Sequence, residues 1–252
     1  MRKTAIAVLA VLALCPVLFA QAASEETASF VASTSWTASY ADLAGVDDIR
    51  VIAPASLRHP PEYELVPSDI VAIQNADYFV SAGYERMMAA IQEGIPSDHR
   101  TDIHISTGNT VENITAQADL IASYTGTEVR YQDYVDMIEE ARSTVQELGL
   151  NSLNVFCQNM LAPLALDIGL NVSATFQGEL SASQIEEAVN ADYDLIIDNY
   201  HSPSAAPLDG LVDCPVIVWR NFPETVGRGA LESMVRQNLD TLFSAVNQNP
   251  LT

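Results

Sequence analysis

Basic residues are scarce in this chain. The sequence contains 11 lysines and arginines against 33 aspartates and glutamates, and its formal net charge is −22. Removal of Arg2 and Lys3 with an N-terminal signal would leave 9 basic against 33 acidic residues, a balance of −24. A phosphate backbone requires clustered basic side chains, so this deficit argues against a nucleic-acid partner. A surplus of acid is typical of proteins that stay dissolved in a salty or exposed setting.

The motifs of common enzymes are also missing. The sequence has no GxGxxG, no GxxxxGK[ST], no GxSxG and no HExxH, so it lacks the usual signatures of dinucleotide binding, phosphate binding, serine hydrolysis and zinc proteolysis. Cys157 could form a nucleophilic pair if the fold brought a histidine close to it, and this is the catalytic alternative. We therefore expect a protein that is not an enzyme.

Cysteine is rare, with Cys15, Cys157 and Cys214 the three examples. Cys157 follows the apolar run Val155-Phe156, whereas Cys214 precedes an apolar run that begins at Pro215. If the two runs are parallel strands of one sheet, the sulfur atoms lie at opposite ends of it, beyond the reach of a disulfide. We expect Cys157 and Cys214 to be free thiols.

One long apolar run is present, and it lies at the N terminus. A basic start, an apolar stretch and a small-residue end at Ala20-Gln21-Ala22 form the pattern of a secretory signal. Cleavage near Ala22 or Ala23 is expected, and a lipid anchor on Cys15 is the alternative, although Leu14 is bulky for that reaction. No later run approaches the roughly 20 apolar residues of a membrane span. The mature protein is expected in the periplasm or on the cell surface.

Strand and helix patterns alternate through most of the remaining chain. Short apolar runs followed by helical periodicity indicate parallel sheets, and residues 110–149 carry two stretches of helical periodicity with Gly126 between them. The expected fold class is α/β, with two lobes, each a parallel sheet with flanking helices, joined by one long rigid helix from Thr127 to Leu148. The expected divisions are a signal peptide (1–23), an N-terminal lobe (24–109), connecting helices (110–149) and a C-terminal lobe (150–252).

A proline-rich loop, PPEYELVPSD, occupies residues 60–69. Proline fixes φ and biases the residue before it towards extended geometry, so this loop is held in one shape. Ser68 is a good N-cap, and Asp69 suits the positive end of a helix dipole. The pattern predicts a stiff loop that ends at a helix start.

Residues 59–85, HPPEYELVPSDIVAIQNADYFVSAGYE, resemble the zinc/manganese group (cluster A-I) of ABC-transporter substrate-binding proteins. The similarity extends to SFVASTSWTASYADLAG near the start of the mature chain, to LNVFCQNMLAPLALDIGLNVSATF and to RQNLDTLF. The resemblance implies two α/β lobes joined by a rigid helix and a divalent metal ion, zinc or manganese, held in the cleft between them. It also implies a monomer that delivers this ion to an ABC permease, with no organic cofactor.

The metal site of that family is usually built from two histidines on the first lobe and a histidine or glutamate and an acid on the second. Here the first position is Pro61, with His59 nearby, and the second is His104. The third position is Gln158, beside Cys157, and the fourth is about Asn221. At or beside these positions, the residues that can still bind a metal ion are His59, His104 and Cys157, and these are the expected metal ligands.

The carboxyl ends of parallel strands face the binding crevice, and here they carry neutral or basic residues. Arg58 and Arg220 could clamp a carboxylate, and Trp219 could stack on a flat group; surface ion pairs are the other interpretation of these arginines. An anion, a metal chelate or a small organic molecule is therefore the alternative cargo, and a surface or adhesive protein is an alternative of another class. The expected ligand-binding residues are Arg58, His59, Glu85, Gln158, His201, Trp219, Arg220 and Asn221.

Overall fold

A computed structural model of the chain describes residues 28–248. The expected signal segment, its cleavage site and Cys15 lie outside the described residues. Within residues 28–248, no helix is both long enough and apolar enough to cross a membrane.

The first sheet contains four parallel strands in the order β2-β1-β3-β4. Phe30 pairs with Ile49 on one side and with Tyr78 on the other, which fixes the register of the sheet. A Thr34–Thr37 capping box starts helix α1 directly after β1. The strands are β1 (Phe30–Ala32), β2 (Ile49–Val51), β3 (Tyr78–Ser81) and β4 (Thr101–His104), and the helices are α1 (Ser35–Leu43), α2 (Pro67–Gln74) and α3 (Met87–Gly94).

The second sheet repeats this architecture, with four parallel strands in the order β6-β5-β7-β8. Its strands are β5 (Val155–Gln158), β6 (Val172–Phe176), β7 (Leu195–Asn199) and β8 (Val216–Trp219), and its helices are α6 (Ala162–Asp167), α7 (Ala182–Asn190) and α8 (Ala230–Gln248). Parallel neighbours require crossover connections, and the helices between the strands provide them. The predicted α/β class with two parallel-sheet lobes is confirmed.

Two helices connect the sheets, α4 (Val111–Thr125) and α5 (Gln132–Glu147). Gly126, with φ of 72°, ends α4 in a left-handed cap. The long helix predicted from Thr127 therefore begins later, at Gln132, because residues 126–131 form the turn between the two helices. Helix α5 buries Tyr134, Ile138 and Val145 against the lobes.

The proline loop differs from its prediction at the helix start. Pro60–Glu62 form a short 3₁₀ turn, and α2 begins at Pro67 with Val66 as its N-cap. Ser68 is inside the first turn, since proline without an N–H suits the first helical position. The Asp69 carboxylate accepts the backbone N–H of Val66, and this bond closes the first turn.

The central strands of the two sheets are buried on both faces, as is usual in parallel sheets, whereas the edge strand β8 exposes alternate residues. Alternate residues of β1 and β5 belong to different hydrophobic clusters: Phe30 and Val155 face a cluster shared by both lobes, whereas Val31 and Phe156 face clusters private to each lobe. The shared cluster also takes in α5 and α8. The two lobes thus share one continuous interior.

Candidate ligand-binding cleft

A cavity of about 160 Å³ lies between the two lobes. Loops that follow strand ends line it, as expected for the crevice at the carboxyl ends of parallel strands. The first lobe contributes Thr34, Trp36, Arg58, His59, Pro60, Pro61 and Tyr84, and the second contributes Met160, Asn199, His201, Ser202, Asn221 and Phe222. The cavity is the candidate binding site.

The wall of this cavity is largely carbon. The Trp36 and Phe222 rings pack against each other across the lobe boundary, with centroids 6.0 Å apart. Tyr84 and Met160 remain 55% and 44% exposed, so large apolar surfaces at the rim are open to a ligand. Ligand sites commonly combine such apolar walls with a few placed polar atoms.

His201 supplies the most distinctive polar atom of the cavity. Its side chain is 3% exposed, and its ring stacks on Phe222 with centroids 3.5 Å apart. The Nδ1 atom lies 2.8 Å from Asn221 Oδ1, which can only accept, so Nδ1 carries the proton. The Nε2 atom therefore presents a lone pair, and within residues 28–248 it has no hydrogen-bond partner. A buried acceptor without a partner is costly unless a ligand uses it.

Burial keeps the His201 imidazole neutral. Desolvation lowers the pKa of His201 to about 4, and the hydrogen bond with Asn221 opposes this shift only in part. At neutral pH, Nε2 carries a lone pair that can coordinate a metal ion or accept a proton from a ligand donor, but the atom is buried, so the side chains around it must move before a ligand reaches it. His201 is not a cationic anchor for an anion at that pH.

A buried carboxylate shapes the loop that carries His201. Asp198, at the end of β7, accepts the backbone N–H groups of Ser204 and Ala205, and the Asn199 side chain accepts the His201 N–H. Charge-assisted bonds of this kind are stronger than neutral ones. The β7 loop is thus folded back on its own strand, with the imidazole held towards the cleft.

The two predicted clamp arginines meet at Tyr200. Arg58 crosses the cleft and donates to the Tyr200 carbonyl at 3.0 Å, and it lines the cavity. Arg220 lies 4.2 Å above the Tyr200 ring and pairs with Glu224 at 2.9 Å. Arg220 does not line the cavity, so the arrangement brings one guanidinium group, that of Arg58, to the ligand space.

Two other predicted ligand-binding residues support the site from below. Glu85 is 3% exposed; its Oε1 accepts from Ser33 and from the Ala82 N–H, and its Oε2 has no partner within residues 28–248. Gln158 accepts from the Met160 N–H at 2.8 Å and from the Asn199 side chain. Neither lines the cavity, so both position neighbouring strand ends.

Trp219 is placed differently from its predicted stacking role. It is 0% exposed and belongs to the hydrophobic cluster that both lobes share. Strand β8 alternates exposed and buried residues, and Trp219 falls on the buried face with Ile217. This side chain packs in the interior and cannot stack on a ligand in the cleft.

The three predicted metal ligands do not come together. His59 is exposed at the cavity rim, but His104 is exposed outside the lining and bonds Ser81 Oγ at 3.0 Å. Cys157 is 0% exposed, and burial raises the pKa of its thiol to about 12. Across residues 28–248 no group of three His, Cys, Asp or Glu side chains could hold a metal ion. This corrects the set of His59, His104 and Cys157.

Both cysteines are free, as predicted: Cys157 is buried, and Cys214 is half-buried. The neutral, enclosed Cys157 thiol is a poor nucleophile, because the thiolate is the reactive form. A Cys157–histidine catalytic pair therefore receives no support from this geometry.

Sequence reasoning missed the apolar part of the site. Phe222 follows the end of β8 beside Asn221, so the strand-end rule that selected Asn221 could also have selected it, whereas Trp36 lies in the first turn of α1. Tyr84 and Met160 follow β3 and β5 in the same way. Attention to polar residues alone left out most of the cavity wall.

A hydrogen-bond chain joins the two rims of the cleft. Trp36 Nε1 donates to Asn109 Oδ1 at 3.1 Å, and Asn109 Nδ2 donates to the Asn221 carbonyl at 2.8 Å. Ser35 Oγ donates to the Pro223 carbonyl at 2.6 Å. The segment after β8, which carries Asn221 and Phe222, is therefore tied directly to the first lobe.

No protein-family model matches this sequence, and no curated protein matches it. Solved structures do match its fold. The substrate-binding protein FpvC of Pseudomonas aeruginosa, in complex with Mn²⁺, is 18% identical with a TM-score of 0.63, and the alignment covers 87% of this chain and 99% of that one.

Two further structures agree with this. The laminin-binding protein Lmb of Streptococcus agalactiae, described as having adhesin and metal-transporting activity, is 16% identical with a TM-score of 0.61, covering 87% of this chain and 99% of that one. A Mn-bound periplasmic metal-binding protein of Candidatus Liberibacter asiaticus is 14% identical with a TM-score of 0.51, covering 86% and 100%. The chain therefore has the fold of metal-binding substrate-binding proteins.

Proposed function

We propose that this protein is the extracytoplasmic substrate-binding component of an ABC-type uptake system. It is exported, works as a monomer, captures a ligand in the cleft between its lobes and delivers that ligand to a membrane permease. The observation that carries the proposal is the inter-lobe cavity, in which His201 presents a buried Nε2 atom with no partner in the described chain. The shared fold with FpvC and Lmb supports it.

The cargo includes a divalent metal ion, and His201 Nε2 and the His59 imidazole are its protein ligands. Imidazole suits zinc, nickel and related ions, and the Nδ1 bond to Asn221 is the kind of second contact that orients a metal-binding histidine. Solved neighbours of this fold were determined with Mn²⁺ and Ni²⁺. This assignment keeps His59 and replaces His104 and Cys157 with His201, in the loop that follows β7.

The protein acts by binding and not by catalysis, and its binding site is held near one shape before the ligand arrives. The rims are already joined by the Asn109 bonds, and stiff prolines hold the loop that carries Arg58 and His59. A site held near its binding shape loses less entropy when a ligand is captured. Capture is therefore expected to require small loop adjustments and no wide opening of the lobes.

Calorimetric titration of the metal-stripped mature protein with Zn²⁺, Mn²⁺ and Ni²⁺ tests the proposal. One-to-one binding that weakens about tenfold or more in His201→Gln is expected, because a coordinate bond is lost. His99→Gln removes an exposed imidazole far from the lining and serves as the matched control.

His104→Gln separates the new assignment from the sequence-based one. If His104→Gln weakens binding and His201→Gln does not, the site is elsewhere. If no free divalent ion binds, the assignment of a bare metal ion fails, and the metal-chelate, organic-ligand and surface-protein alternatives take its place.

A further inference from the structure

We infer that the cleft takes its metal as a complex with a small organic chelator that bears carboxylate groups, and not as a bare ion. The inference rests on the proposed function and names the ligand class of the same site. It follows from the number of donor atoms, the charge and the surface of the described cavity lining.

The donor count is too low for a bare ion. Of the described residues that line the cavity, His59 and His201 are the two with side chains that commonly ligate transition metals in proteins. Zinc takes four ligands in a closed site, and hard divalent ions take six or more oxygens. Two imidazoles leave at least half of the coordination positions to be filled by the cargo itself.

The charge of the cavity also opposes a bare dication. None of the described lining residues is acidic, and Arg58 places a positive charge in the wall. Carboxylates in nearby segments do not line the cavity: Glu224 is paired with Arg220, and Asp198 accepts the N–H groups of the loop that carries His201. Glu85 accepts from Ser33 and Ala82 through Oε1, and its Oε2 has no partner within residues 28–248. The lining therefore provides no negative charge to compensate a dication.

A carboxylate-bearing chelator removes both problems. Its carboxylates neutralise the ion, and one of them can pair with Arg58, whose guanidinium group keeps N–H donors beyond the bond to Tyr200. The open metal positions then fall to His201 Nε2 and His59. Each unusual polar feature of the lining thus has a partner in one ligand.

The surface of the cavity points to the same class. The walls provided by Trp36, Phe222, Tyr84 and Met160 offer carbon where a hydrated ion would need hydrogen-bond acceptors. The cavity volume of about 160 Å³ is below the roughly 300 Å³ at which pockets for drug-sized ligands begin, so the organic part must be small. The organic part can pack on the exposed surfaces of Tyr84 and Met160 at the rim.

The 1:1 nickel complex of pyridine-2,6-dicarboxylate is a suitable probe, because it is small, flat and neutral and has open coordination positions. The metal-stripped mature protein is titrated with Ni²⁺ alone, with the dicarboxylate alone and with the complex. The complex is expected to bind at least about tenfold more tightly than either component. Arg58→Gln should weaken the complex about tenfold, the loss of one charge-assisted pair, without weakening Ni²⁺.

Two further variants make the result specific. His201→Gln should weaken both Ni²⁺ and the complex, whereas Arg86→Gln, which removes an exposed first-lobe arginine 3.7 Å from Glu64, should change neither. Circular dichroism and thermal melting of each variant establish that it is folded. A loss of binding in a folded Arg58→Gln protein therefore reports on the ligand contact.

The outcomes separate the inference from the function beneath it. If Ni²⁺ alone binds as tightly as the complex, the inference of a chelate is overturned, and the proposal of a metal carrier is retained. If the free dicarboxylate binds as tightly as the complex, and Arg58→Gln weakens this binding whereas His201→Gln does not, the cargo is an organic acid. That result would overturn both the chelate inference and the proposed metal carrier. Binding that no His201 substitution affects would also remove the proposed metal site.

Discussion

At the residue scale, the candidate site depends on polar groups around His201, one of which does not line the cavity. Asp198 is 5% exposed and lies beneath the β7 loop, where its carboxylate accepts the N–H groups of Asn199, Ser204 and Ala205. Asn221 fixes the tautomer of His201 by accepting from Nδ1. The position and the protonation of one imidazole are therefore set by two neighbouring polar residues, one of them fully outside the ligand space.

Substitution of Asp198→Asn tests this support. The amide has one acceptor oxygen in place of two, and its NH₂ group would face backbone donors, so we expect a loss of about 2–3 kcal/mol of folding free energy. Chemical denaturation measures the loss, and titration with metal should show weaker binding because the loop that carries His201 relaxes. Asp209→Asn, an exposed aspartate of the same loop, is the control. Equal stability of the two variants would contradict the supporting role of Asp198.

At the scale of elements, the contact between α1 and the segment after β8 decides how the lobes meet. The first turn of α1 supplies Ser35 and Trp36, and Asp42 in its last turn accepts the N–H of Gly229 at 2.9 Å. Asn109, which precedes α4, is 5% exposed and bonds to both lobes. One helix and one amide thus tie the second lobe to the first at the cleft.

Removal of the Asn109 side chain should loosen this tie. In Asn109→Ala, the Trp36 N–H and the Asn221 carbonyl each lose a buried partner, which predicts a destabilisation of about 1–3 kcal/mol. Hydrogen exchange of residues 220–229 should become faster, and Trp36 fluorescence should shift to the red as water enters. Asn151→Ala, at an exposed position without a side-chain bond in the described structure, should change neither property. Unchanged exchange in Asn109→Ala would mean that packing alone holds the rims together.

At the scale of the whole molecule, the hydrophobic interior is continuous between the lobes. Each sheet has a private cluster on its outer face, and the inner faces share one cluster with α4, α5 and α8. Trp36 of the first lobe and Trp219 of the second both belong to that shared cluster. Separation of the lobes would expose this common interior to water, which is strongly unfavourable.

The shared interior predicts that the protein unfolds in one cooperative transition. Far-UV circular dichroism and tryptophan fluorescence should give coincident thermal curves, because neither lobe retains its core when the other unfolds. Trp36→Phe leaves Trp219 as the fluorescent probe of the second lobe, and Trp219→Phe leaves Trp36 as the probe of the first. In each variant, the fluorescence midpoint should equal the midpoint of that variant's own dichroism curve. Two separated midpoints would show that each lobe is an independent folding unit.

Much of the fold follows from local sequence patterns. Apolar runs alternate with helical periodicity, and that alternation predicts parallel sheets with flanking helices, which the structure contains. The strand-end rule also selected His201 and Asn221, and the proline loop suggested Arg58 and His59; all four line one cavity. These features are predictable because secondary structure and the edge to which a parallel strand points depend on residues close together in the chain.

The sequence by itself determined the class of fold, the two lobes and the polar residues at the ends of their strands. Only the tertiary structure decided that Trp219 and Cys157 face the interior, that His59 lines the cavity whereas His104 does not, and that Trp36 meets Phe222. The reason is that a strand pattern of period two shows which residues share a face but not what covers that face. Burial of Trp219 and assembly of the cleft depend on how two lobes, distant in sequence, pack against each other.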